Sequence, residues 1–125
     1  MTTSQPSSGD LWVIRLSRHM SRCVAMQVQE WSAFDKYSLG NQLIRATDSI
    51  GLNISEGYAR THLKERLHFF SIAKGSLEEA LFAIRCARDR HLIMKVDAAN
   101  LSGLLIKLSR AIIALEQKLK DPAVP

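Results

Sequence analysis

Proline is nearly absent from the body of this chain. The 125 residues contain three, Pro6, Pro122 and Pro125, and none between Ser7 and Asp121. An interior proline removes a ladder hydrogen bond and costs a helix about 3 kcal/mol, so the gap leaves the whole interior open to long helices. Cysteine is scarce as well. Cys23 and Cys86 lack the CxxC spacing of a metal or redox pair, and they read as free, small, core-type side chains of a reducing compartment. No apolar run approaches the roughly 18 residues of a membrane span, and the first ten residues lack the basic segment of a secretory signal. Neither feature is expected; the expected location is the cytoplasm, with no membrane partner. Aromatic residues are only 6% of the chain and are not interleaved with its cationic clusters, which argues against base stacking.

What is present suits one small domain. A chain of this length buries about two-thirds of its unfolded surface and needs no metal or disulfide to fold. Hydrophobic residues make up 46% and charged residues 23%, an ordinary globular balance. Seventeen Lys and Arg against twelve Asp and Glu leave a net charge of +5 and a pI near 9.6, which favours polyanionic partners such as nucleic acid.

Hydrophobic periodicity predicts four helices and no strand. Residues 1–9 are small and polar and are expected to form a disordered tail, with Asp10 as an N-cap. Helix 1 is predicted from Leu11 to Val28 on Trp12, Leu16, Met20, Cys23 and Val24, and Gln29 to Lys36 form the first connection. Helix 2 runs from Tyr37 to Tyr58 on Leu39, Leu43, Ala46, Ile50 and Ile54. Thr61 is the expected cap of helix 3, which extends to about His91 with two stripes. One reads Leu63, Leu67, Phe70, Leu77, Leu81 and Ile84, interrupted at Lys74; the other reads Phe69, Ala73, Ser76, Ala80, Ala83 and Ala87. The second, mostly small stripe allows close approach of another helix, in the same chain or in a neighbouring subunit. Helix 4 is predicted from Asp97 to Lys120 on Leu101, Leu104, Leu105, Leu108, Ile112, Leu115 and Leu119, with Ile106 and Ile113 off that face. Short connections favour an all-α, up-down-up-down antiparallel four-helix bundle over residues 10–120, with 121–125 a second tail.

One segment is more specific than any periodicity. From Tyr37 to Glu79 the chain reads YSLGNQLIRATDSIGLNISEGYARTHLKERLHFFSIAKGSLEE. It resembles the four-helix-bundle proteins of 23S rRNA intervening sequences, at Tyr37, Leu39, Gln42, Leu43, Arg45, Ala46, then Asn53, Ile54, Glu56, Gly57 and Arg60, then Lys64, Glu65, Phe69, Gly75, Ser76 and Glu79. Ile44 stands where the family carries the first Arg of a pair, Ser55 replaces Ala, and Arg66 replaces an aromatic residue. The resemblance implies a bundle that assembles as a homopentamer. It also implies kinship with the accessory variability determinant of diversity-generating retroelements, and through it a partnership with RNA or DNA and with a reverse transcriptase.

Candidate sites follow from charge and spacing. Arg15, Arg18 and Arg22 form a basic stripe on helix 1, with His19 beside them. Arg60, Lys64 and Arg66 cluster where helix 2 passes into helix 3, and Arg85, Arg88, Arg90 and Lys95 cluster at the next junction. Forked guanidinium donors suit phosphate, so Arg15, Arg18, Arg22, Arg45, Arg60, Lys64, Arg85 and Arg88 are the expected nucleic-acid contacts. Phe69, Ala73, Ser76, Ala80 and Ala83 are the expected oligomer interface. Glu65 and His68 form a single E-x-x-H, half of what a di-iron bundle needs, so no metal and no cofactor is expected. Ser71 and Lys74 match S-x-x-K without its partner motifs, and no nucleophile–base pair or phosphate loop appears. Ser49, Asn53 and Glu56 read as interhelical hydrogen-bonding groups that set helix register. Two non-enzymatic functions fit these residues: a bundle that binds nucleic-acid backbone, or a protein-interaction scaffold that does not.

Overall fold

The structure, a computed structural model, describes residues 8–121. Helix α1 spans Ser8–Val28. After a short turn, Ala33–Asp35 and a π-helical stretch at Lys36–Gly40 run without a break into α2, Asn41–Ala59. Helix α3 spans Leu63–Asp89 and α4 spans Lys95–Lys120. Each helix packs on the next, and α4 returns to α1, closing an up-down-up-down antiparallel four-helix bundle with no strand among the described residues. The predicted tails at 1–7 and 122–125 lie outside the described residues. Helix α1 begins at Ser8, which puts Asp10 inside the helix rather than at its cap. The first connection is shorter than expected because Ala33–Gly40 is already helical.

The core confirms the α2 stripe residue for residue: Leu39, Leu43, Ala46, Ile50 and Ile54 are all buried. In α1 the buried face is rotated from the expected one. Val13, Ser17, Met20, Val24 and Val28 are buried, whereas Trp12 is 43% exposed. In α4, Leu101, Leu105, Leu108, Ile112 and Leu115 face the core while Ile106 and Ile113 are exposed.

Helix α3 distinguishes its two stripes. Of the small one, Ala73, Ser76, Ala80, Ala83 and Ala87 are buried inside the protomer and Phe69 is half-buried, while Leu63, of the large stripe, is exposed. Small side chains let two helix backbones approach closely, and α2 and α3 share the most extensive contact in the bundle. A hydrogen-bonded row crosses that seam. The Ser49 and Ser76 hydroxyls lie 2.8 Å apart, and the Asn53 amide donates to Ser49 Oγ and to the Ser49 carbonyl. These polar groups set α2 against α3 in one register, the role read for Ser49 and Asn53; Glu56 instead pairs with Arg60 on its own helix.

Gly57 is required by space. A Cβ there would lie 2.7 Å from Phe70 Cε1 and 2.9 Å from Phe70 Cδ1. Phe70 is fully buried and sits edge-on to Tyr58, with ring centroids 5.5 Å apart. Lys74, which interrupts the large stripe of α3, reaches Glu116 of α4 at 2.8 Å. Glu116 is buried, so the interruption supplies the partner that a buried carboxylate needs.

Candidate nucleic-acid interface

Helix α1 turns its apolar face inward, and the 3.6-residue period then places Arg15, Arg18 and Arg22 on the outside, where all three are exposed. Helix α4 packs beside α1. Lys107 Nζ sits 5.0 Å from the centroid of the Trp12 ring, a cation–π contact that ties the outer edge of α4 to α1. Arg110, one turn further along α4, is also exposed. No Asp or Glu occurs between Leu11 and Gln29 or between Ala98 and Leu115. The α1–α4 layer therefore carries five cations and no carboxylate over those spans. Glu30 and Asp97 border the layer at one end, beside Cys23, and Asp48 of α2 shares a recess with Arg18.

Lys107 and Arg110 were missed because α4 reads as an apolar helix with isolated cations. The signal available was the acid-free span itself, which is legible in the sequence but has meaning only once α1 and α4 are known to be neighbours. Within the layer, Cys23 Sγ lies 3.5 Å from His19 Nε2, and both cysteines are free.

The second expected cluster is partly committed to structure. Arg60 Nη2 donates to Glu56 Oε1 at 2.5 Å and its guanidinium lies 5.0 Å from the Phe69 ring centroid, while its buried Nε has no partner among the described residues. Arg66 is 6% exposed, and its Nε donates to the Arg60 carbonyl at 2.7 Å. Arg66 is thus committed to the α2–α3 junction, whereas Arg60 is paired with Glu56 but keeps its side chain 42% exposed, and Lys64 is exposed. Arg85 and Arg88 are exposed on α3, away from the acid-free layer.

Arg45 is exposed on α2 and lines a groove with Arg90, the residue that ends α3. Phe69 is half-buried against Arg60, and Ala73, Ser76, Ala80 and Ala83, the expected oligomer interface, are buried within the protomer, although Ser76 and Ala83 also line the groove between α2 and α3. Glu65 and His68 are both exposed, and among the described residues no group of three or more His, Cys, Asp or Glu side chains is placed to hold a metal.

Comparison with known proteins agrees with this fold. A solved structure of a protein of unknown function from the S23 ribosomal protein family of Bacteroides thetaiotaomicron VPI-5482 superposes with a TM-score of 0.81 over 87% of this chain and 98% of that one, at 15% identity. No curated protein matches the sequence significantly. The family model described as 23S rRNA-intervening sequence protein matches residues 9–114, and the chain, most of whose length that match covers, belongs to the family of 23S rRNA-intervening sequence proteins.

Proposed function

We propose that this chain is a non-enzymatic, oligomeric bundle that binds the sugar–phosphate backbone of RNA or DNA through the acid-free layer of α1 and α4. The observation that carries this reading is the set Arg15, Arg18, Arg22, Lys107 and Arg110, exposed on two adjacent helices with no carboxylate among them over residues 11–29 and 98–115. Such a surface neutralises phosphates and releases condensed counterions without reading sequence. The free thiols of Cys23 and Cys86 support a cytoplasmic setting.

Five phosphate contacts at about 0.9 counterions each give a log–log salt slope near −4.5 per protomer on duplex DNA. Anisotropy of a labelled duplex across a salt series measures it. Reversing Arg15, Arg18 and Arg22 to Glu is expected to cut the slope to about −2 or less; an unchanged slope in that variant removes the α1–α4 layer from the reading.

Assembly, in a ring of five by the family resemblance, belongs to the same proposal, but on a new surface. Ile106 and Ile113 are 45% and 44% exposed on the outer flank of α4, a more suitable interface than the enclosed α3 stripe. A second reading, a scaffold that docks a protein such as a reverse transcriptase without touching nucleic acid, draws on that same apolar flank. Ile106→Ser with Ile113→Ser, which adds no charge beside Lys107 and Arg110, tests the flank. Lost mass in light scattering supports assembly there; unchanged mass, together with no binding of the labelled duplex by the native protein, favours the scaffold.

A further inference from the structure

Folding gathers into one groove a set of side chains that the sequence keeps some fifty residues apart. Tyr37, Gln42, Arg45 and Arg90 line a recess of about 410 Å³ at the start of α2. Gln42, Arg45 and Arg90 also line the adjoining groove of about 940 Å³ between α2 and α3, which Phe82 flanks. We propose that this groove takes a single-stranded nucleic-acid segment, with a phosphate held by Arg45 and Arg90 and a base stacked on Tyr37 or Phe82. The proposal rests on the nucleic-acid reading above and adds to it a second, strand-selective site on a different face.

Charge places the phosphate at the Tyr37 end. No carboxylate lines that recess, and among the described residues neither Arg45 nor Arg90 is paired with one. Two forked donors meeting in one recess match the oxygens of a phosphate. Arg90 is held in place by its backbone. It caps α3, and the chain then turns through His91 at φ 59° while His91 N donates to the Arg88 carbonyl at 3.0 Å and Leu92 N to the Ala87 carbonyl at 2.9 Å. That pair of bonds is the Schellman closure of a helix end, and it fixes where Arg90 leaves α3.

The aromatic residues supply the second part, because the mixing of aromatic and cationic side chains that is missing along the sequence, and that argued there against stacking, is made across the groove. Tyr37 is 74% exposed and Phe82 67% exposed, in a protein whose Phe70 is wholly buried. Exposed aromatic faces beside cationic side chains are the stacking platforms of single-strand binders, and a duplex, whose bases are already stacked, gains nothing from them. Glu78 and Glu79 line the larger groove with Phe82, Arg45 and Arg90 but not the Tyr37 recess, and there they can accept hydrogen bonds from base amino groups or sugar hydroxyls.

Anisotropy with labelled decathymidylate, an abasic phosphodiester of equal length and a duplex of equal length tests this on the whole chain. The native protein is expected to bind decathymidylate about tenfold more tightly than the abasic strand, the margin of one stacked base. Tyr37→Ala with Phe82→Ala abolishes that margin and leaves duplex binding unchanged. Arg45→Gln with Arg90→Gln weakens both single strands at least fivefold, and the single variant Arg90→Gln shows the same direction if the pair perturbs folding by circular dichroism. The Arg15→Glu, Arg18→Glu, Arg22→Glu variant loses duplex affinity but keeps the tenfold margin, so the two sites fail separately. Equal affinity of the native protein for decathymidylate and the abasic strand overturns the proposal. So do groove variants that keep the margin, and so do groove variants that change the assembled mass instead of the affinity, which would assign the groove to a second copy of the chain.

Discussion

Replacing Gly57 with alanine tests the α2–α3 seam on which the groove of Arg45 and Arg90 depends. The new Cβ would lie 2.7 Å and 2.9 Å from two ring carbons of Phe70, with the Arg66 carbonyl at 3.3 Å. Carbon atoms pack best at about 3.5–4.0 Å, so the ring or the helix must move by about 0.8 Å. Phe70 is fully buried against Tyr58 and has no free direction. Overpacking of a well-filled site costs about 1–3 kcal/mol, and the upper half of that range applies here. Against it stands the helix preference of alanine over glycine, about 0.8–1.0 kcal/mol. The net expectation is a loss of about 1–2 kcal/mol, which lowers Tm by about 3–10 °C for a domain of this size. The same change at Gly75 or Gly103, where an added Cβ meets nothing within 4 Å, is expected to raise stability by up to about 1 kcal/mol. Thermal and urea unfolding of the three variants measure the contrast, and trimming the ring with Phe70→Leu should recover part of the Gly57→Ala loss. A Gly57→Ala protein as stable as Gly103→Ala would refute the packing argument.

Three further outcomes are expected. His91→Gly should stabilise the chain by about 0.5–1 kcal/mol in urea unfolding, because His91 holds a left-handed turn at φ 59° that glycine adopts without a Cβ penalty. Lys74→Ala should cost about 1–2 kcal/mol by leaving the Glu116 carboxylate buried without its partner at 2.8 Å; Lys74→Met combined with Glu116→Leu should recover most of that loss in the same assay. Ala80→Leu should lower stability by about 1–3 kcal/mol with no change of mass in light scattering, since Ala80 is fully buried within the protomer; a dissociated assembly with unchanged stability would return that stripe to a subunit interface.

Four helices and their order are legible in this sequence because an amphipathic helix writes its buried face at a fixed period, and Leu39, Leu43, Ala46, Ile50 and Ile54 keep that period without interruption. The family was legible as well, in the residues from Tyr37 to Glu79 that the family match includes. The choice between the two stripes of α3 was not. A long helix in a bundle touches two neighbours, so both stripes satisfy the period, and only the close seam with α2 decides that the small one is enclosed. Arg60 and Arg66 looked like free cations for the same reason. The Glu56–Arg60 pair is an i,i+4 spacing that the sequence already shows, but the Phe69 ring against Arg60 and the Arg60 carbonyl that Arg66 meets are brought there only by the α2–α3 turn. The cationic layer of α1 and α4, and the groove that joins Arg45 to Arg90, exist only where residues from separate helices become neighbours. The sequence by itself determined which segments are helical and which family they build, since those depend on local period and on ordered motifs; the tertiary structure alone decided which surfaces are left free, since that depends on what each face meets across the bundle.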